Sequence, residues 1–217
     1  MEHDGKESNV MKTGTTTVGV VCEKGIILAA DKRATAGGMI VNKKTEKILP
    51  IDGRVAITTA GSVSDIQLLV KMLKAEIKLK EMKSNRAPNV EEIANLCSGM
   101  IYNNIRRMSM IPGVSHFIMG GKNNGKFQLF DLFPDGSLTN IDDYIASGSG
   151  SVFALGVLDT LYKEDMSIEE GTKMVVKAIN AALQRDTASG EGIDIITITE
   201  EGLKKQEGQM LDTKLKA

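Results

Sequence analysis

The chain is short of the residues that mark several common chemistries: among 217 residues it has two histidines, two cysteines and no tryptophan. Because His3 lies in a polar N-terminal stretch, a Ser-His-Asp triad would have to be built on His116. Its setting, Ser115-His116-Phe117 in a strand-like run, offers no nearby nucleophile, so His116 reads as a packed strand histidine. Two cysteines and one usable histidine do not easily fill a tetrahedral zinc shell, so no metal site is expected. Cys22 and Cys97 each sit inside an apolar periodic segment and read as buried free thiols of a reducing compartment. Long apolar runs are missing as well. No segment approaches the roughly 18 apolar residues of a membrane span, and Met1 to Gly14 has no apolar signal-peptide core, so a cytoplasmic protein without membrane contact is expected. Nor is there an excess of one charge. With 27 basic and 28 acidic residues the formal net charge is -1, which gives no electrostatic footprint for nucleic acid or an anionic membrane. Function must therefore be sought in a local site.

What is present suits one domain. The chain is 41% hydrophobic and long enough to bury a sizeable core. Strand-like alternation runs from Thr15 to Cys22 and from Ile26 to Ala30 across the Glu23-Lys24-Gly25 turn, which predicts a hairpin. Further strands are expected at Met39 to Asn42, Lys47 to Ile51 and Val55 to Ala60, the last closed by Gly61. Ser62 with Asp65 resembles a capping box, followed by Ile66, Leu69, Val70, Leu73 and Ile77 at helical spacing. Asn89 with Glu92 starts a second helix with Ile93, Leu96, Cys97, Met100, Ile101, Ile105 and Met108 on its apolar side, its methionines read as core filling. Strands follow at Val114 to Met119, Phe127 to Phe133 and Ser137 to Ile145. A helical run then reaches about Tyr162, Ser167 with Glu170 caps another over Ile168 to Arg185, and Ile193 to Thr199 is the last strand. Grouped strands and paired helices predict an α+β fold, a four-layer αββα sandwich of two stacked antiparallel sheets covered by helices. The stretch before Thr15 and the polar tail after about Gln206 show no periodicity.

Several segments could carry chemistry. Gly148-Ser149-Gly150 invites a nucleotide-loop reading, but Phe153 stands where a third glycine would be, and no Gly-Lys-Ser/Thr follows. The run Thr15-Thr16-Thr17 behind a polar leader fits plain β-propensity when taken alone. Asp31 and Arg33 alone fit a surface pair, and Lys47 fits one lysine of a solvated run, Lys43-Lys44-Thr45-Glu46-Lys47.

Taken in order, however, these segments resemble proteasome β-subunits of the archaeal type, members of the N-terminal nucleophile hydrolase superfamily. The resemblance runs from about Gly14 to about Thr199. It rests on Gly14-Thr15-Thr16-Thr17-Val18-Gly19, Asp31 and Arg33, Lys47, Ala60-Gly61, Ser147-Gly148-Ser149-Gly150-Ser151 and Arg185-Asp186-Thr187-Ala188-Ser189-Gly190. It implies a propeptide, residues 1-14, removed by self-cleavage between Gly14 and Thr15, and a hydrolase domain spanning 15-217. It further implies Thr15 as nucleophile, Asp31 and Lys47 as charged neighbours, Ser149, Asp186 and Ser189 as the shell around its amine, Gly61 at the oxyanion and Arg33 in support. The pocket for the residue before the cut would be lined by Ala34, Thr45, Leu49, Thr59 and Val63, with Gln67 one helical turn beyond.

Such a set needs no histidine. A threonine hydroxyl requires an adjacent base, and an α-amino group, with a reference pKa of about 7.7 to 8.0, suits that task. While Thr15 N is an amide it has no useful basicity; cleavage creates the base. The expectation is thus a threonine endopeptidase that hydrolyses unfolded proteins through an ester acyl-enzyme, without metal or organic cofactor. The implied assembly is a heptameric β ring stacked between α-subunit rings and fed by an ATPase unfoldase. Three other readings stand beside it: a non-catalytic structural ring subunit, an N-terminal nucleophile amidase for a small substrate, and a plain binding module.

Overall fold

The computed structural model describes residues 14–210, with side chains described through Gln206. Strands β1 (Thr17–Cys22) and β2 (Gly25–Asp31) form the expected hairpin, and β2 is buried along its whole length. That continuous burial follows from cover on both faces. Ile27 and Ala29 face the helices, while Ile26, Leu28 and Ala30 face a second sheet, so period-2 alternation places apolar groups on either side.

After the hairpin come β3 (Ala34–Ala36), β4 (Met39–Asn42), β5 (Ile48–Pro50) and β6 (Val55–Gly61), then helices α1 (Val63–Ser84) and α2 (Val90–Ile105). Next are β7 (Ser115–Asn123), β8 (Lys126–Leu132), β9 (Leu138–Ile141) and β10 (Tyr144–Ser147). Helices α3 (Ser151–Leu161) and α4 (Ile168–Arg185) precede β11 (Gly192–Thr199) and β12 (Gly202–Met210). One five-stranded sheet has the order β10-β1-β2-β11-β12, the other β5-β6-β7-β8-β9, all pairs antiparallel; β3 and β4 form a separate two-stranded ribbon. Three apolar layers hold the stack: α1 and α2 on the second sheet, α3 and α4 on the first, and the sheets on each other through residues such as Leu28, Ile118 and Leu129. The αββα sandwich is the architecture observed.

Two local predictions hold in detail. Asn89 accepts from Glu92 N while Glu92 accepts from Asn89 N, and Ser167 and Glu170 make the same reciprocal pair. The third capping box is absent. Ser62 makes no side-chain cap bond; its hydroxyl meets that of Ser64, and Asp65 accepts from Asn104 instead. Met108 lies beyond the end of α2 and is fully exposed, so it fills no core, whereas Met100 packs against the α1 and α2 layer. The expected single strand over Ser137 to Ile145 is two strands, β9 and β10, which part near Asp142-Asp143 and join different sheets. The polar tail also pairs: β12 lies at a sheet edge against β11 as far as Met210. Cys22 and Cys97 are buried and free, and burial pushes each thiol up to about 12. Among the described residues no helix is long and apolar enough to cross a membrane. Of the expected leader only Gly14 lies within the described residues.

Candidate active site

One end of the first sheet gathers residues from six separate stretches of chain. Asp31, the last residue of β2, is fully buried and accepts four hydrogen bonds. Its Oδ1 takes Thr16 N at 2.9 Å and Lys47 Nζ at 2.7 Å, and its Oδ2 takes Arg33 N and Gly190 N, each at 3.0 Å. A buried carboxylate is stable only when so partnered. Lys47 precedes β5 and is itself buried, its carbonyl taking the backbone N–H and hydroxyl of Thr59. Burial pushes its ammonium below the ordinary lysine range, Asp31 and Asp186 oppose that shift, and Arg33 adds to it.

A second chain of bonds starts one residue earlier. Thr15 N donates to Ser149 Oγ at 3.2 Å, Ser149 donates to Asp186 Oδ2 at 2.7 Å, and Ser189 donates to the same oxygen at 2.6 Å. Since Ser189 has given its only proton away, the 2.7 Å contact with Thr16 runs from Thr16 Oγ1 to Ser189 Oγ. The path leaves Thr15, passes through three side chains from the α3 and α4 ends, and returns at Thr16. Thr16 N then links it to Asp31 and Lys47. The six residues that the resemblance named as nucleophile, charged neighbours and amine shell, Thr15, Asp31, Lys47, Ser149, Asp186 and Ser189, thus belong to one hydrogen-bonded circuit.

Backbone shape seats Thr15 between two glycine-bearing segments. Gly148 has φ +91, and a Cβ there would lie 2.0 Å from Thr15 O, which also accepts from Gly150 N at 3.3 Å. Gly14 is crowded: its Cβ would stand 1.8 Å from Ala188 Cβ and 2.9 Å from Ser149 Oγ. Gly61 ends β6 at φ +123, where any side chain would run into Val114 O, and Ser62 N behind it donates to that same oxygen. Arg33 donates to Thr187 O at 2.8 Å and to Glu191 at 3.1 Å, and its guanidinium occupies the space that a side chain at Gly190 would need. It braces the loop that carries Ser189.

Of the expected pocket positions, Thr59 is bonded to Lys47, and Thr45 and Leu49 flank it in the chain. Thr45 N donates to Lys32 O, Leu49 pairs with Ile57 and packs partly against the α1 and α2 layer, and Thr59 is tied to Lys47 O. Ala34 begins β3 half-buried, while Val63 opens α1 and is half exposed, with Gln67 exposed a turn later.

A model of the family described as proteasome subunit matches residues 11–198. The chain belongs to that family. The proteasome subunit beta of Methanopyrus kandleri is 40% identical over 201 residues, covering 92% of this chain and 94% of that protein. Proteasome subunit beta 2 of Pyrococcus abyssi is 43% identical over 204 residues, covering 94% of each. The proteasome subunit beta of Methanocaldococcus jannaschii is 41% identical over 206 residues, or 94% of this chain and 89% of that one.

Three residues in or beside the candidate site of this proteasome subunit had no forecast role. Thr16 is wholly buried and joins both halves of the circuit, although the threonine run drew attention only to Thr15. Thr35 on β3 accepts from Gly14 N at 3.3 Å, and nothing in its sequence context signals this. His116 is the packed strand histidine expected, on β7 against Phe133, but it also has two polar partners. Its Nδ1 lies 2.9 Å from Ser147 Oγ and its Nε2 2.6 Å from Asp131 Oδ1, partners that are distant in sequence.

Proposed function

We propose that this proteasome subunit is a threonine endopeptidase whose nucleophile is the Thr15 hydroxyl, exposed by self-cleavage after Gly14. The observation that carries this reading is the closed circuit from Thr15 N through Ser149, Asp186, Ser189 and Thr16 to Asp31 and Lys47. A structural subunit has no chemical use for a buried lysine-aspartate pair beside a threonine, since such a pair gains little net stability.

In the cleaved protein Thr15 N is a free amine, and Ser149, whose proton is committed to Asp186, accepts one of its N–H bonds. The amine lone pair is left to take the proton of Thr15 Oγ as that oxygen attacks the substrate carbonyl carbon. The amine then passes the proton to the departing peptide nitrogen, the C–N bond breaks, and an ester on Thr15 remains. Water, deprotonated by the same amine, cleaves that ester and restores the hydroxyl. Lys47, charged, disfavours a second positive charge on the amine and keeps it unprotonated, while Asp31 holds the lysine in place. Gly61, at a strand end before a helix N-terminus, supplies a backbone N–H to the oxyanion, a contact worth about 3 kcal/mol. Every proton is handled by groups of the chain itself.

Self-cleavage needs a separate account, because an amide nitrogen is no base. In the uncut chain Lys47, whose pKa burial lowers, takes the Thr15 Oγ proton as that oxygen attacks the Gly14 carbonyl carbon, and returns it to the Thr15 nitrogen as the Gly14–Thr15 C–N bond breaks. Water then hydrolyses the ester left on Oγ, releasing Gly14 as a carboxylate and restoring the hydroxyl. The assembly that this reading implies is a heptameric β ring stacked between α rings in the cytoplasm, supplied with unfolded proteins by an ATPase unfoldase. Thr15→Ala is expected to abolish both processing and peptidase activity, and Thr15→Ser to retain some of each; full activity in the alanine variant would remove Thr15 as nucleophile.

A further inference from the structure

The apolar layer between the two sheets ends, on the Thr15 side, in a polar clasp. Two residues along from Ile118, Leu129 and Ile145, all packed in or against that layer, stand His116, Asp131 and Ser147 on β7, β8 and β10. Period 2 turns these three side chains into the same layer, and the distances show them bonded there. A carboxylate can only accept, so Asp131 takes its bond from His116 Nε2–H, while Nδ1 and the Ser147 hydroxyl share the second bond, the imidazole accepting when neutral and donating when charged. Phe133 sits edge-on to the imidazole at 5.0 Å. Ring orientation is thereby fixed from three sides. The order Ser-His-Asp does not make a second nucleophile, because Ser147 is only 2% exposed.

Its neighbours in the chain give the clasp its interest. Ser147 is followed by Gly148, pressed against Thr15 O, and by Ser149, which accepts from Thr15 N. His116 is preceded by Ser115, the pairing partner of Gly61, and by Val114, whose carbonyl holds Ser62 N. The His116–Ser147 hydrogen bond therefore joins the wall that holds the nucleophile to the wall that ends in Gly61, beside the Asp31–Lys47 pair, which reaches the same strand through Thr59. These walls belong to different sheets.

We infer that His116 is a positioning residue of the hydrolase: bonded to Ser147 and oriented by Asp131, it sets the distance between the Thr15 segment and the Gly61 strand. The inference rests on the function proposed above. His116 touches no reacting atom and acts through Ser147 and β7. Loosening it should leave substrate binding intact but misplace the oxyanion donor relative to the nucleophile, and a displacement of about 1 Å costs on the order of a hundredfold in rate.

The test uses assembled, processed particles of the wild type, His116→Ala, His116→Gln, Ser147→Ala and the His116→Ala/Ser147→Ala double variant. It measures kcat, KM and melting temperature for each. Expected are a kcat lowered roughly tenfold or more in both single alanine variants with KM near wild type. The double variant should fall no further than the worse single one, since both remove one bond. His116→Gln, which can still donate and accept, should recover part of the loss. A lowered melting temperature with unchanged kcat would make the clasp merely structural and overturn the inference. If His116→Ala does not assemble, Ser147→Ala decides alone: unchanged kcat there overturns it. Wild-type particles that expose Thr15 yet turn over no peptide would sink the proposed function and this role together, whereas an active wild type with an equally active His116→Ala would sink only this role.

Discussion

Replacing Asp31 with asparagine changes one oxygen to an NH2 group and removes one charge, with almost no change in shape. In the native site each carboxylate oxygen receives two donors, Thr16 N and Lys47 Nζ on one side and Arg33 N and Gly190 N on the other. An asparagine offers a single acceptor oxygen, so whichever way the amide turns, two donors face an N–H group. Each buried donor left unmatched costs about 1–3 kcal/mol. If the amide turns its nitrogen to Lys47, a buried ammonium also loses its counter-charge, the situation in which breaking a pair costs about 3–5 kcal/mol. The less costly orientation orphans Arg33 N and Gly190 N and still removes the charge, so the net loss is on the order of 3–5 kcal/mol. For a domain of this size that lowers the melting temperature by roughly 6–20 °C. Activity should change in a defined direction as well. Asp31 raises the Lys47 pKa against the effect of burial, so its removal lets that pKa fall further, and the ammonium form survives only at lower pH. Residual peptidase activity in Asp31→Asn should therefore peak at a lower pH than the wild type. Differential scanning calorimetry and a pH profile with a fluorogenic peptide read both effects. Wild-type melting together with a wild-type pH profile would refute the claim that Asp31 is the hub of the site.

Two further outcomes follow from the same geometry. Lys47→Ala should lose roughly 10²- to 10⁴-fold in turnover while circular dichroism stays native; near-normal turnover would return Lys47 to the solvated charge run around it. The neutral positions Ala34, Thr45, Leu49, Thr59 and Val63 favour an apolar residue before the cut, by about 1.5–3 kcal/mol for a buried Leu or Phe side chain. Peptides ending in Leu, Tyr or Phe should thus be cleaved faster than matched peptides ending in Arg or Glu, and a clear preference for a charged residue would mean that other residues line the pocket.

What could be read from the sequence was what is local. The capping pairs Asn89 with Glu92 and Ser167 with Glu170 lie within one turn of chain and formed as their spacing required. Ser62 with Asp65 has the same spacing, but Asn104, supplied by another helix, draws Asp65 away. Sheet membership is decided by distant partners, which is why Ser137 to Ile145 looked continuous although β9 pairs with β8 and β10 with β1. The strand β12 escaped notice because an edge strand with polar residues has little apolar alternation to show. At the site, Lys43, Lys44 and Glu46 are exposed while Lys47 in the same run is buried, a distinction that only the packing of β5 supplies. The motif resemblance named Lys47; charge and periodicity could not. The same holds for His116, whose partners Asp131 and Ser147 lie 15 and 31 residues away.

The central claim is that the chain makes its own catalytic amine by cutting between Gly14 and Thr15. Intact mass and N-terminal sequencing of assembled particles that are active toward peptides test it directly. A single mature chain that begins Thr15-Thr16-Thr17-Val18 is expected. Active particles in which Met1 to Gly14 remain attached would contradict it, because Thr15 N would then still be an amide.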